Sequence, residues 1–281
     1  MNLLEEKLAK NLKQVSDYYA GVMGIGVKSL LTDEEPILVN GDEVFPIGSS
    51  IKIPVLLEFF KKAEQNKLDI SKPFTYQKNQ EVGGTGVLQF LTPGKVNMPL
   101  IDYATLMINL SDNTATNILI DLVGMEDVNT SLKSLGLKFT KLQRKMIDWD
   151  AAKAGKENIS TPREAIHLLD CIYNKRGVSE YQRENVLNIM KKPKIGVIRN
   201  SVPDEIEIAN KPGRIEGASC DVGIVLLPNQ PYAVTVMTKH IPLSDFRNLI
   251  TAEAMRQVTE LVHTYFLETS KSTIFGLRKF I

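Results

Sequence analysis

Three short motifs along the chain contain residue types that could together carry out acyl transfer. The first is Ser49-Ser50-Ile51-Lys52, at the predicted start of a helix. Residues three apart share a helix face, so Lys52 can reach the Ser49 hydroxyl. A serine hydroxyl is a weak nucleophile until a base takes its proton. A lysine that is partly desolvated and close to other cations can lose its charge and act as that base. A serine that only caps the helix is the alternative interpretation.

The second motif is Ser111-Asp112-Asn113, which precedes a strongly helical segment. In a catalytic interpretation, Ser111 passes a proton to the leaving nitrogen of the substrate, and Asn113 hydrogen-bonds its amide carbonyl. In a structural interpretation, the tripeptide only caps the following helix.

The third motif is Lys211-Pro212-Gly213, at the predicted end of a short strand. Lys211 would place a positive charge beside the proton path, and Gly213 would let a substrate approach the backbone. An ordinary turn is the alternative, since Pro-Gly is a common turn pair.

The composition excludes several classes of protein. The chain has 281 residues, with 34 basic and 33 acidic side chains and a net charge of +1. Nucleic-acid binding needs a clustered basic excess, so no nucleic-acid partner is expected. No apolar run reaches the length of a membrane helix, so no membrane association is expected. The histidines are isolated and form no paired zinc motif, so neither a metal nor a cofactor is predicted.

The N-terminal segment 1–21 predicts an amphipathic helix instead of a secretion signal, because charged residues interrupt its apolar positions. A cytoplasmic location is therefore expected, or an extracytoplasmic one if a leader has been removed. In a chain without a secretion signal, Cys171 and Cys220 are predicted to be two buried thiols. We expect the protein to be a monomer.

The order of predicted elements is helix, strands, a helical block, strands and helix. Two strands are predicted within 22–31 and 36–40, helices over 51–62, 103–123, 126–135, 161–173 and 179–190, strands over 206–210, 221–227 and 232–238, and a helix over 243–268. This order predicts an α/β fold: an antiparallel sheet flanked by the terminal helices, with an inserted all-helical domain. We expect residues 1–50 and 195–281 to form a discontinuous α/β domain and residues 51–194 the helical domain. An active site is expected in the cleft between them.

The motifs and their order resemble the class A β-lactamases, within the wider group of penicillin-recognising serine hydrolases. Further segments that look like that family are FPIGSSIKIPVLLEF, GTGVLQFL, LMINLSDNTATNILID and TPREA. The similarity extends from about Gly24 to Leu267.

The resemblance implies hydrolysis of a β-lactam amide through an acyl-enzyme on Ser49. The backbone N–H groups of Ser49 and Arg214 would form the oxyanion hole, and Ser111 and Lys211 would manage the leaving nitrogen. The substrate would be a small β-lactam or a peptide-like molecule. Two alternatives remain: a D-alanyl-D-alanine carboxypeptidase-like or other amide or ester hydrolase, and a penicillin-binding sensor that does not turn over.

One departure from the family pattern concerns the second half-reaction. Class A enzymes use a loop glutamate to activate the deacylating water, and Met146 falls on that position if Arg144 matches the family arginine. A methionine cannot take a proton, so deacylation is expected to be slow. Asp148 and Asp150 are the nearest carboxylates that could replace the base; alternatively, both only fix the loop by hydrogen bonds.

A second departure concerns recognition of the substrate carboxylate. Pro212 replaces the usual Thr or Ser, whose loss removes a charge-assisted hydrogen bond of roughly 1.5–3 kcal/mol. Arg214 could replace that contact with a full charge, or it could be a plain surface arginine. Proline at this position predicts an edge strand.

Overall fold

The computed structural model describes residues 3–245, 248–273 and 276–279. The helices are α1 (Leu3–Tyr18), α2 (Lys52–Glu64), α3 (Leu100–Asn109), α4 (Asn113–Val123), α5 (Met125–Ser134), α6 (Trp149–Lys153), α7 (Pro162–Asn174), α8 (Glu180–Met190), α9 (Val197–Asn200) and α10 (Leu249–Ser270). The strands are β1 (Val22–Ser29), β2 (Ile37–Val39), β3 (Phe45–Pro46), β4 (Pro73–Thr75), β5 (Asn97–Pro99), β6 (Ile159–Ser160), β7 (Ile208–Ile215), β8 (Ala218–Val225) and β9 (Tyr232–Lys239).

The main sheet combines strands from the two ends of the chain. Its order is β2-β1-β9-β8-β7, and every neighbouring pair is antiparallel. On one face, the terminal helices α1 and α10 pack on each other and on the sheet around an apolar cluster that includes Leu12, Ile25 and Val258. On the other face, α7 and α8 contact β1, β7 and β9. The predicted α/β fold, with terminal helices flanking an antiparallel sheet, is therefore confirmed.

The helical block has its own apolar core around α2. Phe59 and Phe60 are fully buried there, and α2 contacts α3, α4, α5 and α8. The block thus supplies a rigid support for the residues at the start of α2. The exact division of the chain at residues 50 and 195 remains a prediction.

The predicted continuous helix over 103–123 is wrong at one point. The chain breaks between α3 and α4, and Ser111 at the break has a left-handed φ of 51°. Asp112 then caps α4, since its Oδ1 accepts a hydrogen bond of 2.9 Å from the N–H of Ala115. Apolar periodicity continues across the break, which is why the pattern alone missed it.

The strand that carries Lys211, Pro212 and Gly213 is longer than predicted. The motif lies inside β7 and not at its end, because residues 208–215 all pair with β8. β7 is an edge of the sheet, as the proline predicted, and edge strands are the usual place for a proline within a sheet. Cys171 and Cys220 are both buried free thiols, as predicted. Within the described residues, no helix is long and apolar enough to cross a bilayer.

Candidate active site

Ser49 lies in a single 3-10 turn, Gly48–Ile51, which leads directly into α2. This turn rests on β7: the Ser50 hydroxyl donates a hydrogen bond of 2.7 Å to the carbonyl of Lys211. The contact is so close that a Cβ at Gly213 would lie 2.1 Å from the carbonyl oxygen of Ile47. Ser49 is therefore held where the helical block meets the edge of the sheet.

Lys52, the first residue of α2, is completely buried, and its ammonium points at the second motif. Its Nζ donates to the carbonyl oxygen of Ser111 at 2.8 Å, to Ser111 Oγ at 3.1 Å and to Asn113 Oδ1 at 3.1 Å. Burial lowers the pKa of Lys52 well below its usual value, and the nearby charge of Lys211 lowers it further, against an opposing effect of Asp112. These are the conditions under which a lysine gives up its proton and serves as a base.

Ser111 joins the two lysines of the site. Lys211 Nζ also donates to Ser111 Oγ at 3.1 Å, and to the carbonyl of Pro212 at 2.9 Å. The left-handed backbone of Ser111 directs its hydroxyl between the two ammonium groups. Strained backbone conformations of this kind cluster at functional sites. A hydroxyl held by Lys52 and Lys211 is well placed to pass protons along this line.

Lys211 is buried as well, and burial lowers its pKa to about 8. The charge of Asp221, on the neighbouring strand β8, opposes this and raises the pKa. The Asp221 carboxylate accepts hydrogen bonds from the N–H of Ile198 at 3.0 Å and from Asn210 Nδ2 at 3.0 Å. Asp221 is thus a fixed buried carboxyl group whose charge favours the protonated form of Lys211.

Asn113 is fastened to the loop that precedes α3. Its Nδ2 donates to the carbonyl of Gly83 at 3.0 Å, and Thr85 Oγ1 donates to the carbonyl of Ser111 at 2.7 Å. A Cβ at Gly84 would lie 2.7 Å from Asn113 Nδ2. The loop therefore fixes the orientation of the Asn113 amide, which has a second N–H for a substrate carbonyl.

Met146 lines the same cavity as Ser49 and is otherwise buried. Its backbone is locked to α4: Met146 N donates to Asn117 Oδ1 at 2.8 Å, and Asn117 Nδ2 donates to the Met146 carbonyl at 3.0 Å. The cavity wall at this position thus carries no group able to accept a proton.

Asp148 and Asp150 are not brought to the site. Both are exposed, and neither is among the described residues that line the cavity. Asp148 Oδ1 instead accepts from the N–H of Ala151 at 3.0 Å and caps α6. Asp148 therefore caps a short helix, which is the structural alternative to a role as the deacylation base.

Glu157 does line the cavity, but its carboxylate is paired. Its Oε2 accepts from Arg144 Nη2 at 2.9 Å and from Arg144 Nε at 3.1 Å. This ion pair joins the two ends of the segment between residues 144 and 157.

Arg214 is exposed at the opposite side of the cavity mouth. With the amide oxygen of Asn248 turned toward it, Asn248 accepts from Arg214 Nε at 2.8 Å and from Nη2 at 3.0 Å. The guanidinium keeps further N–H groups for an anionic ligand. Pro212 lines the cavity beside it but offers no hydroxyl.

The cavity around these groups has a volume of about 780 Å³, within the range of sites for drug-sized ligands. Seven of the residues singled out from the sequence line it: Ser49, Ser111, Asn113, Lys211, Pro212, Gly213 and Arg214. Lys52 is fully buried and is not part of the lining. Their proximity is a structural fact, while their individual catalytic roles remain predictions.

Three residues of the site were not found from the sequence. Asn117 lies one turn after Asn113 on α4, a spacing that could have indicated it. Asn248 and Asp221 contact the site only through the tertiary fold, so no local signal marks them. Within the described part of the chain, no group of three or more His, Cys, Asp or Glu side chains is arranged to hold a metal ion.

The site combines a serine at the start of a helix with two buried lysines that flank a second serine, beside an edge strand. This combination is typical of a serine acyl-transfer enzyme. A family model described as the beta-lactamase enzyme family matches residues 7–266. The chain therefore belongs to the β-lactamase enzyme family.

Individual relatives support this assignment over most of the chain. An imipenem-hydrolyzing beta-lactamase of Enterobacter cloacae is 28% identical over 247 residues, covering 83% of this chain and 82% of that protein. Beta-lactamase SME-1 of Serratia marcescens is 27% identical, covering 82% and 80%. Among solved structures, PBP-A superposes with a TM-score of 0.82 at 28% identity, covering 93% of this chain and 96% of that one.

Proposed function

We propose that this protein hydrolyses β-lactams through an acyl-enzyme on Ser49. The observation that carries the proposal is the hydrogen-bonded line from Lys52 through Ser111 to Lys211, with both lysines buried and both N–O distances to Ser111 Oγ at 3.1 Å. Neutral Lys52 takes the proton of Ser49 as the Ser49 oxygen attacks the lactam carbonyl. The Lys52 ammonium then gives this proton to Ser111, while the Ser111 hydroxyl gives its own proton to the lactam nitrogen as the C–N bond breaks.

Polar and charged residues that line the cavity bind different parts of the substrate. Asn113 binds the amide carbonyl of the acyl side chain. Lys211 and Arg214 bind the carboxylate, so that the arginine compensates for the hydroxyl that Pro212 lacks. Names of relatives agree with this substrate class: two are β-lactamases, and a variant of PBP-A has been solved as an acyl-enzyme complex with penicillin G.

Deacylation proceeds without a carboxylate at the Met146 position. Water must then be activated by a less well-placed base, and losing a general base costs about 10²–10⁴-fold in rate. We propose that neutral Lys52 takes this role, since burial lowers its pKa well below the usual value and its position three residues after Ser49 lets it reach the ester.

Intact-mass spectrometry after addition of one equivalent of benzylpenicillin tests the proposal. A mass increase that appears and then decays, with hydrolysed drug in solution, is expected. Ser49→Ala should remove the increase, because no nucleophile remains; labelling that persists in this variant would exclude Ser49. A mass increase that never decays would instead favour a penicillin-binding sensor. No mass increase together with intact benzylpenicillin in solution would overturn the proposal.

We propose that the enzyme is a monomer. Light scattering of the purified protein tests this. The cellular location, cytoplasmic or extracytoplasmic, remains a prediction, and cell fractionation tests it.

A further inference from the structure

The buried thiol of Cys220, on β8, lies against the turn that carries Ser49. Its Sγ donates a hydrogen bond of 3.1 Å to the carbonyl oxygen of Ile47 and lies 3.1 Å from Ser50 Oγ. Both side chains are almost fully buried, with exposed fractions of 2% for Cys220 and 3% for Ser50. Ile47 and Ser50 flank Gly48 and Ser49 in the chain, so the thiol contacts the turn on both sides of the nucleophile.

The Ser50 hydroxyl fixes the direction of these bonds. A hydroxyl has a single proton, and Ser50 donates it to the carbonyl oxygen of Lys211 on β7 at 2.7 Å. Ser50 Oγ therefore acts as an acceptor toward Cys220, whose S–H faces two acceptors, Ser50 Oγ and the Ile47 carbonyl oxygen. The hydroxyl and the thiol thus form one connected pair that joins the turn to β7 and β8.

The turn and the two strands meet here without room for a further side chain. A Cβ at Gly213 on β7 would lie 2.8 Å from Cys220 Sγ and 2.9 Å from the backbone nitrogen of Ser50. A Cβ at Gly48 would lie 3.0 Å from the backbone nitrogen of Arg214. Contacts this close transmit a displacement of one element to the next. Loss of either member of the pair should therefore shift the turn relative to β7.

We propose that Ser50 and Cys220 are positioning residues, which together hold Ser49 at a fixed distance from the substrate-binding strand β7. The inference rests on the proposed function and deepens it, because Ser49 and Lys211 must act on one substrate at once. The backbone N–H groups of Ser49 and Arg214, to which the family resemblance assigns the oxyanion hole, belong to the turn and to the strand that the pair joins. The pair acts through Ser49 and takes no part in the proton transfers.

The test compares acylation and stability in matched variants. Cys220→Ala and Ser50→Ala each remove one member of the pair, and Cys171→Ala removes the other buried free thiol, which lies outside the cavity lining. The acylation rate constant at saturating benzylpenicillin is measured by quenched-flow mass spectrometry, and the unfolding midpoint by calorimetry. Both pair variants should acylate at least tenfold more slowly, because a displacement of about 1 Å at a reacting group can cost about 10²-fold in rate. Cys171→Ala should lower the unfolding midpoint only.

Three further readouts separate positioning from a general loss of stability. Cys220→Ser keeps a donor to the Ile47 carbonyl and should recover most of the rate that Cys220→Ala loses. In infrared difference spectra with benzylpenicillin labelled at its lactam carbonyl, the ester carbonyl of the acyl-enzyme should absorb at higher wavenumber in Cys220→Ala, because its hydrogen bonds from the turn and β7 weaken. The double variant of Ser50→Ala and Cys220→Ala should be no slower than the slower single variant, since residues that act as a unit are not additive.

Acylation in both pair variants as fast as in Cys171→Ala, or an unchanged ester carbonyl band, would overturn the inference. If Cys220→Ala does not fold, the comparison of Ser50→Ala with Ser50→Thr decides, because threonine keeps the hydroxyl: the threonine variant should acylate faster, and equal rates would overturn the inference. Failure of the proposed function is distinguishable, because then benzylpenicillin does not acylate the wild-type protein.

Discussion

The side-chain amide of Asn117 is hydrogen-bonded to both backbone polar groups of Met146, at 2.8 and 3.0 Å. The position of Met146 in the cavity wall is therefore set by α4 and not by its own side chain. A different side chain at residue 146 should enter the cavity at the same place.

This relationship predicts that Met146→Glu accelerates deacylation. The new carboxylate would be a base on the wall facing the Ser49 ester, and a positioned general base contributes about 10²–10⁴-fold. The decay of the acyl-enzyme in intact-mass spectra should quicken by at least tenfold. Met146→Gln, which has the same shape but cannot accept a proton as a carboxylate does, should not show this gain. A decay rate equal in both variants would mean that water does not approach the ester from residue 146.

Lys52→Met should slow acylation of Ser49 by about 10²–10⁴-fold, because the proton acceptor is lost. The burst of benzylpenicillin labelling, followed by quenched-flow mass spectrometry, measures this rate. Lys62→Met on the same helix is the control, since Lys62 pairs with Asp127 away from the cavity. If Lys52→Met acylated as fast as the control, the base would have to lie elsewhere.

Much of this site follows from local sequence, and the reason is physical. The three-residue spacing of Ser49 and Lys52 and the capping ability of Asp112 depend only on helix geometry, so the sequence is sufficient to predict them. The strands were located by β-branched runs, although Lys211 lies inside β7 because the pairing with β8 extends beyond the apolar pattern.

The remaining features depend on contacts between distant parts of the chain. Arg214 and Asn248 are 34 residues apart in sequence, and their contact requires the start of α10 to lie beside the edge strand β7. Asp148 was a candidate base from its proximity in sequence, but the chain forms α6 there and uses the carboxylate as a cap. The left-handed Ser111 is fixed by Lys52 and Lys211 from two other elements, which no local pattern encodes.

The pKa of Lys211, lowered by burial to about 8, predicts an alkaline limit on acylation. Lys211 is protonated below that pH and binds the substrate carboxylate; it loses its charge as the pH rises through about 8. The acylation rate constant at low substrate concentration should therefore fall above pH 8. Stopped-flow measurements from pH 6 to about 11 cover both the shifted and the ordinary lysine pKa. A flat profile across this range would show that the charge of Lys211 is not needed.

Asp221→Asn should move this alkaline limit to lower pH. Burial lowers the pKa of Lys211, and the negative charge of Asp221 partly offsets this by raising it. Removing the charge of Asp221 should therefore lower the pKa of Lys211 further. A purely structural effect would lower the rate at every pH without moving the midpoint. Asp17→Asn, an exposed acid on α1 that pairs with Lys13, is the matched control and should leave the profile unchanged. A midpoint that stays in place in Asp221→Asn would contradict the electrostatic role.

Gly213→Ala should lower both thermal stability and acylation. The added Cβ would lie 2.1 Å from the carbonyl oxygen of Ile47 and 2.9 Å from the N–H nitrogen of Ser50, and these backbone atoms belong to the turn that carries Ser49. Relief of the clash must push the turn away from β7; overpacking of this kind costs about 1–3 kcal/mol, and a displacement of about 1 Å at a nucleophile can cost about 10²-fold in rate. Gly217→Ala is the control: its φ of 75° adds strain, but nothing lies within 4 Å of the new Cβ. Differential scanning calorimetry should show both variants destabilised, while penicillin labelling should slow only in Gly213→Ala. Equal labelling rates in the two variants would show that the turn holds Ser49 in place without the close contact to Gly213.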